Sequence, residues 1–311
     1  MKYAPDRYTL ENFKRSLRQP RLFVEELGRL PFTFHSTIQN IWANRNGYGE
    51  SDAIRLVEED WDNLIVIDAC RADLFEEVVD TDKFDQYRRE VSIDSNTTPW
   101  SIKNFKTEWM GDTVYVTGNA AVSRTIPDRF HKFVEAWPDH WREWVFGDME
   151  PEPVFEEAIK LSKEYPNKKL VVHFVQPHIP FIKYPELMDQ ESELTVWERI
   201  GTGEADRDEV WKAYKANLEH VMPFVFDLIE ELPGKTILTS DHGNMLGETM
   251  VSGKPVYGHP GGVRCPELLE VPFCVIESDN RKKIIDGGVE SGGSMDDEII
   301  KKRLNALGYH E

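Results

Sequence analysis

The sequence predicts an α/β fold with a mostly parallel central sheet and helices on both faces. After Trp61, short apolar runs rich in β-branched residues recur, the pattern of strands buried on both sides. Amphipathic stretches with helical spacing separate them. The runs also end in polar groups: Asp68, Asn119, His178 and the pair Asp241 and His242. Ligands of open α/β sheets collect beyond the carboxyl ends of the strands, so these groups mark where a site is expected.

In chain order, residues 1–60 read as a helical arm. Leu10, Phe13, Leu17, Leu22, Phe23 and Leu27 fall near helical spacing, and Pro20 and Pro31 are expected to break the run. Lys14, Arg15, Arg18 and Arg21 stand beside those apolar groups. Such a stripe either covers a core or touches an anionic membrane surface. The sheet domain is expected over 61–311, with strands at 63–69, 113–117, 169–175, 236–239 and 271–276. Helices are expected at 72–79, 100–108, 153–164, 209–232 and 295–307. Residues 183–208 are polar without a strong period and read as an insertion near the site entrance.

Composition narrows the function. With 37 basic against 56 acidic side chains the formal charge is −19, and the resulting field opposes binding to nucleic acid. An anionic substrate then needs a local positive trap, which a bound dication supplies. Three cysteines at spacings unlike a zinc or disulfide framework fit a reducing compartment. No run matches a secretory leader or a membrane span, so the expected location is cytoplasmic.

The apolar run ending at Ile67 leads into Asp68-Ala69-Cys70-Arg71-Ala72-Asp73. Asp68 reads equally well as a helix cap and as a site carboxylate. The run ending at Thr239 leads into Ser240-Asp241-His242-Gly243. There a hard oxygen and an imidazole nitrogen stand side by side, and Gly243 allows the sharp turn that faces both inward.

Together these two elements resemble the alkaline phosphatase superfamily, in particular its sulfatase-like branch, over roughly residues 60–280. Further matches are Gln176-Pro177-His178-Ile179-Pro180-Phe181, Tyr257-Gly258-His259-Pro260 and Glu270-Val271-Pro272-Phe273. The resemblance implies an alkaline-phosphatase-like fold and a nucleophile at a helix start facing the first aspartate. Ser95-Asn96-Thr97-Thr98-Pro99 lies in that place, and aligning its proline selects Thr97, ahead of Thr98 and Ser95. The formylglycine motif Cys-x-Pro-Ser-Arg and the Asp-x-x-x-His pair of two-metal phosphatases are not found. Asp68, Thr97, Asp241 and His242 therefore resemble the single-metal sites of lipoteichoic acid synthase-like and phosphoethanolamine transferase catalytic domains, with His178 and His259 left to grip the anion.

Two carboxylates, one hydroxyl and one imidazole form a mixed oxygen and nitrogen set that suits Mn²⁺ or Zn²⁺, with Mg²⁺ or Ca²⁺ where waters complete the shell. The expectation is one divalent metal and hydrolysis of a small phosphate or sulfate ester, sugar- or lipid-linked, through a covalent threonine intermediate. A transferase moving a phospho-head group onto a glycan or lipid would use the same residues. A catalytically silent anion- or sugar-binding module would keep the fold alone.

Overall fold

The computed structural model describes residues 20–107, 109–136, 149–188, 192 and 194–289. The expected helix at 295–307, most of the basic stripe near residue 15, and His140 and His310 lie outside them.

The described chain opens with helix α1 (Pro20–Arg45), which runs unbroken through Pro31. The expected break at that proline is therefore corrected. Pro20 stands at the helix start, where a missing N–H costs nothing. Then follow β1 (Asn63–Asp68), α2 (Ala72–Val78), β2 (Gln86–Val91), α3 (Thr97–Phe105), β3 (Met110–Thr117), α4 (Ala120–Thr125) and β4 (Phe130–Glu135). The next elements are α5 (Glu152–Glu164), β5 (Lys169–Pro177), α6 (Val196–Thr202) and α7 (Arg207–Glu231). The described chain finishes with β6 (Thr236–Ser240), β7 (Met245–Thr249), β8 (Pro255–Gly258), α8 (Pro266–Leu269) and β9 (Glu270–Ile276).

Seven strands form one sheet in the order β2-β9-β6-β1-β5-β3-β4, while β7 and β8 pair as a separate antiparallel ribbon. From β6 to β4 the pairing is parallel; β9 runs antiparallel to both neighbours. The mostly parallel sheet of the sequence reading is present, with helices on both faces. Alternation along β1 shows why: Ile65 and Ile67 join Leu74, Val154, Ala158, Val221 and Val225 of α2, α5 and α7, whereas Leu64 and Val66 join Trp100, Phe105 and Val122 of α3 and α4. The two middle strands β1 and β6 end side by side, Ile67 opposite Ser240, which brings Asp68 and Asp241 to one rim.

Within the expected insertion, α6 starts at a Thr195 and Glu198 capping box and stops at a left-handed Gly203. Its Trp197 packs edge-on against Phe181 and Tyr214.

Candidate metal centre and imidazole pair

Asp68 leaves β1 fully buried, and the next residue, Ala69, takes a left-handed backbone conformation with φ 58°. That conformation is costly for a residue with a Cβ and points to a local requirement. The requirement is visible: the Ala69 N–H donates to Asp241 Oδ1 at 2.8 Å, and its carbonyl accepts the Tyr214 hydroxyl. Asp241 Oδ1 also accepts the His242 N–H at 2.9 Å.

Gly243 is needed for a different reason from the turn expected of it. A Cβ there would lie 2.2 Å from the Glu267 carbonyl oxygen, so close approach of two backbones excludes any side chain.

Thr97 is the first residue of α3 and is fully buried. Asn96 caps that helix through Oδ1, which accepts the Thr98 N–H at 3.2 Å, and Pro99 falls in the first turn, where its lack of an N–H is harmless. The Thr97 hydroxyl donates to Asp241 Oδ2 at 2.6 Å and lies 3.2 Å from His242 Nε2. Ser95, the alternative hydroxyl, donates to the Pro260 carbonyl instead.

The donor count around these groups is short. His242 Nδ1 lies 2.8 Å from the Gly243 carbonyl and so carries the ring proton, leaving Nε2 as a lone pair. That nitrogen is 3.7 Å from Asp68 Oδ1 and 3.4 Å from Asp241 Oδ2. Asp68 Oδ2 accepts from the Asn119 amide, but the buried Asp68 Oδ1 has no hydrogen-bond partner. Asp68, Asp241 and His242 place ligand atoms within 4.8 Å of one another. Several acceptors thus converge with the threonine proton among them, an arrangement that is costly to bury unless a cation completes it. The residues fit a divalent metal, and the mixed donor set agrees with zinc or manganese. Burial pushes the Asp68 carboxyl well up, reinforced by the Asp241 charge. For Asp241, burial works in the same direction, but the imidazoles of His242 and His173 and the bonds from Ala69 and Thr97 outweigh it and hold the carboxyl below its usual range.

The second half of the site is made of imidazoles. His178 is fully buried just beyond β5, between the cis peptides preceding Pro177 and Pro180. Its turn is held by Asn217 of α7, whose amide nitrogen donates to the carbonyls of His178 at 3.0 Å and Pro180 at 2.8 Å. His259, half-buried, follows β8 and stacks on His242 with ring centroids 4.5 Å apart. The Asn96 amide nitrogen donates to His259 Nδ1 at 3.1 Å. His259 Nε2–H can then donate to His178 Nε2 at 2.9 Å, and His178 Nδ1–H to the Ile179 carbonyl at 2.9 Å. The two histidines expected to grip the anion are hydrogen-bonded to each other. Burial lowers His178 to about 4 and drives His259 well below the usual imidazole range.

The structure therefore brings Asp68, Thr97, Asp241 and His242 into one cluster and sets His178 and His259 beside it. Sequence reasoning placed Asn119 at the rim without a role and missed the other groups that hold them. Asn119 caps α4 with one end of its amide and binds Asp68 with the other; its position at a strand end was the available signal. Asn217 interrupts the apolar stripe of Tyr214, Leu218 and Val221, a signal of a buried polar task. Arg264, buried, donates to the carbonyls of Tyr48, Gly49, Ser92 and Ile93, tying the loops before Thr97 and after His259 together. Nothing in its sequence context marks it. His173, expected inside a strand, is buried there with its Nδ1 at 2.8 Å from the Tyr115 hydroxyl.

No family model matches the chain, and no curated protein matches it. Among solved structures it is similar to the C-terminal periplasmic domain of phosphoethanolamine transferase EptC from Campylobacter jejuni, at 15% identity over 70% of this chain and 78% of that one, TM-score 0.47. The corresponding periplasmic domain from Escherichia coli in complex with Zn is similar at 15% identity over 73% of this chain and 75% of that one, TM-score 0.46. The lipoteichoic acid synthase LtaP from Listeria monocytogenes is similar at 15% identity over 80% and 72%, TM-score 0.41. Likeness at this level transfers neither substrate nor reaction. The expected cytoplasmic location is corrected: two of these similar structures are periplasmic domains, and three buried free cysteines do not fix a compartment. Among the described residues no helix is long and apolar enough to cross a membrane.

Proposed function

We propose that this chain cleaves or transfers a phosphate or sulfate ester through attack by Thr97. The observation that supports this most directly is the position of the Thr97 hydroxyl, at the start of a nine-residue helix, 2.6 Å from Asp241 Oδ2 and beside the Asp68, Asp241 and His242 cluster. The helix start favours a bound anion. Asp241 Oδ2 accepts the hydroxyl proton and so aims the threonine oxygen away from the carboxylate, toward the incoming ester.

Asp68, Asp241, His242 and Thr97 would hold one divalent metal, which lowers the pKa of a ligated hydroxyl and offsets the negative charge of the ester. His259, kept neutral by burial, would turn its Nε2–H from His178 to the anion, and the departing oxygen would take its proton from water. Water or an alcohol then takes the group from Thr97. The same residues serve both outcomes, so hydrolysis and transfer differ only in the acceptor.

Aryl phosphate mono- and diesters and aryl sulfates, each tried with Mn²⁺, Zn²⁺, Mg²⁺ and Ca²⁺, give the first measurement. Mass spectrometry of enzyme quenched during turnover is expected to find the added group on Thr97. Thr97→Ala is expected to lower turnover by ~10⁴-fold or more with metal binding retained, and Thr97→Ser to keep part of it. An adduct on Ser95 or Thr98, or unimpaired turnover by the alanine variant, would remove Thr97 from the role. Free phosphate or sulfate as product, against a modified alcohol, separates hydrolase from transferase.

A further inference from the structure

Among the described side chains of α1, residues 31–45, the buried positions are Ser36, Gln39 and Ala43, spaced along one side, and the half-buried Phe32 packs against the cluster of Met245, Met250 and Val256. That side is joined to the body by polar bonds. Gln39 donates to the Arg264 carbonyl at 3.0 Å and accepts from the Val251 N–H at 2.9 Å. Asn40 donates to the Gly262 carbonyl at 2.7 Å and accepts from the Arg264 N–H at 3.0 Å. The opposite side carries Phe34, 64% exposed, and Ile41, 49% exposed, seven residues apart and therefore on one stripe. Two large apolar side chains left exposed on one stripe of a helix mark that stripe as a candidate contact face.

Charge selects the partner. Residues 1–45 hold eight Lys and Arg against four Asp and Glu, a local +4 that leaves −23 for the rest of a chain whose total is −19. Residues 27–49 contain no carboxylate at all, although acidic groups number 56 in the chain. Two copies meeting through this arm would set like charges against each other. An anionic lipid surface would attract it, and an apolar stripe within a basic segment that lacks carboxylates from 27 to 49 suits a helix lying in a bilayer interface.

We infer that the outward face of α1, with Phe34 and Ile41 at its centre, docks on an anionic lipid surface. This goes beyond the ester chemistry and does not depend on it. Docking would set the loop at 259–265, held by Gln39 and Asn40, close to the bilayer, which suits an ester carried on a lipid.

The test is flotation of the full chain with vesicles of phosphatidylcholine alone and of phosphatidylcholine mixed with phosphatidylglycerol. Binding to the mixed vesicles is expected to exceed binding to the neutral ones and to weaken as salt rises. The double variant Phe34→Ser, Ile41→Ser is expected to lose roughly tenfold or more in partitioning, with an unchanged melting temperature because both positions face outward. Absence of flotation with the mixed vesicles overturns the inference, as does flotation that the double variant leaves intact. A concentration-dependent dimer in light scattering, abolished by the double variant while vesicle binding is nil, would assign the face to a second copy instead.

Discussion

The carboxylate half of the site and its imidazole half are both withdrawn from water, and they solve that withdrawal differently. Around Asp68, Asp241, His242 and Thr97, acceptors outnumber protons, and Asp68 Oδ1 is left without a partner. In the imidazole half every nitrogen is matched: the Asn96 amide feeds His259, His259 feeds His178, and His178 feeds a backbone carbonyl. A surplus of buried acceptors is stable only with a cation, whereas a balanced chain of neutral rings is stable alone. The difference separates a half whose acceptors call for a cation from a half whose hydrogen bonds are complete without one.

The comparison breaks most visibly at Asp241. Asp241→Asn removes the charge that Ala69 N–H, His242 N–H and Thr97 converge upon. It is expected to abolish the melting shift on adding Zn²⁺ or Mn²⁺ and to lower turnover by ~10⁴-fold. Asp68→Asn should also remove the metal response, yet raise the stability of the metal-free protein by roughly 1–2 kcal/mol, because it relieves a buried like-charge pair. Loss of metal-free stability in Asp68→Asn would contradict the acceptor surplus. A smaller effect is expected on the imidazole side, where His259→Gln should cost ~10²–10³ in turnover and leave the metal-induced melting shift in place. If that variant loses the metal as well, the two halves are one centre.

How far the site could be read from the sequence follows the same division. Asp68, Asp241 and His242 stand at the ends of apolar runs, which placed them at a common rim, and the five central strands and helices α2, α3, α5 and α7 were visible by the same rule. Strands β2 and β4 were not, because both are edge strands: Gln-Tyr-Arg-Arg-Glu-Val and Phe-His-Lys-Phe-Val-Glu carry the charges that edges tolerate and central strands do not. The imidazole half rests on loops. His178 and His259 became legible only through motif resemblance, since Asn217 and Arg264, which hold their turns, lie 39 and 5 residues away from them in sequence and act through backbone carbonyls. Local pattern carries no trace of such long-range bonds, although a lone asparagine within the apolar stripe of α7 is a hint.

The smallest effect concerns acid. His173 and His178 are held at about 4 by burial, while an unfolded imidazole titrates near ~6.5. A group whose folded pKa is depressed binds its proton more weakly in the native state, so its contribution to stability is fully present above the unfolded pKa and is lost as pH falls through the folded one. The metal-free protein is therefore expected to lose stability progressively from about pH 6.5 toward about pH 4. Asp68, with its pKa raised, acts with the opposite sign: its carboxyl favours the folded state most at low pH and weakens it as pH rises. Urea unfolding across this range separates the two. His178→Gln should flatten part of the acid slope and leave the rest to His173; Asp68→Asn should remove the loss on the alkaline side. An acid slope unchanged by His178→Gln would mean that His178 is protonated in the folded protein, and the neutral chain from Asn96 through His259 to Ile179 would have to be replaced by one in which His178 donates from both nitrogens.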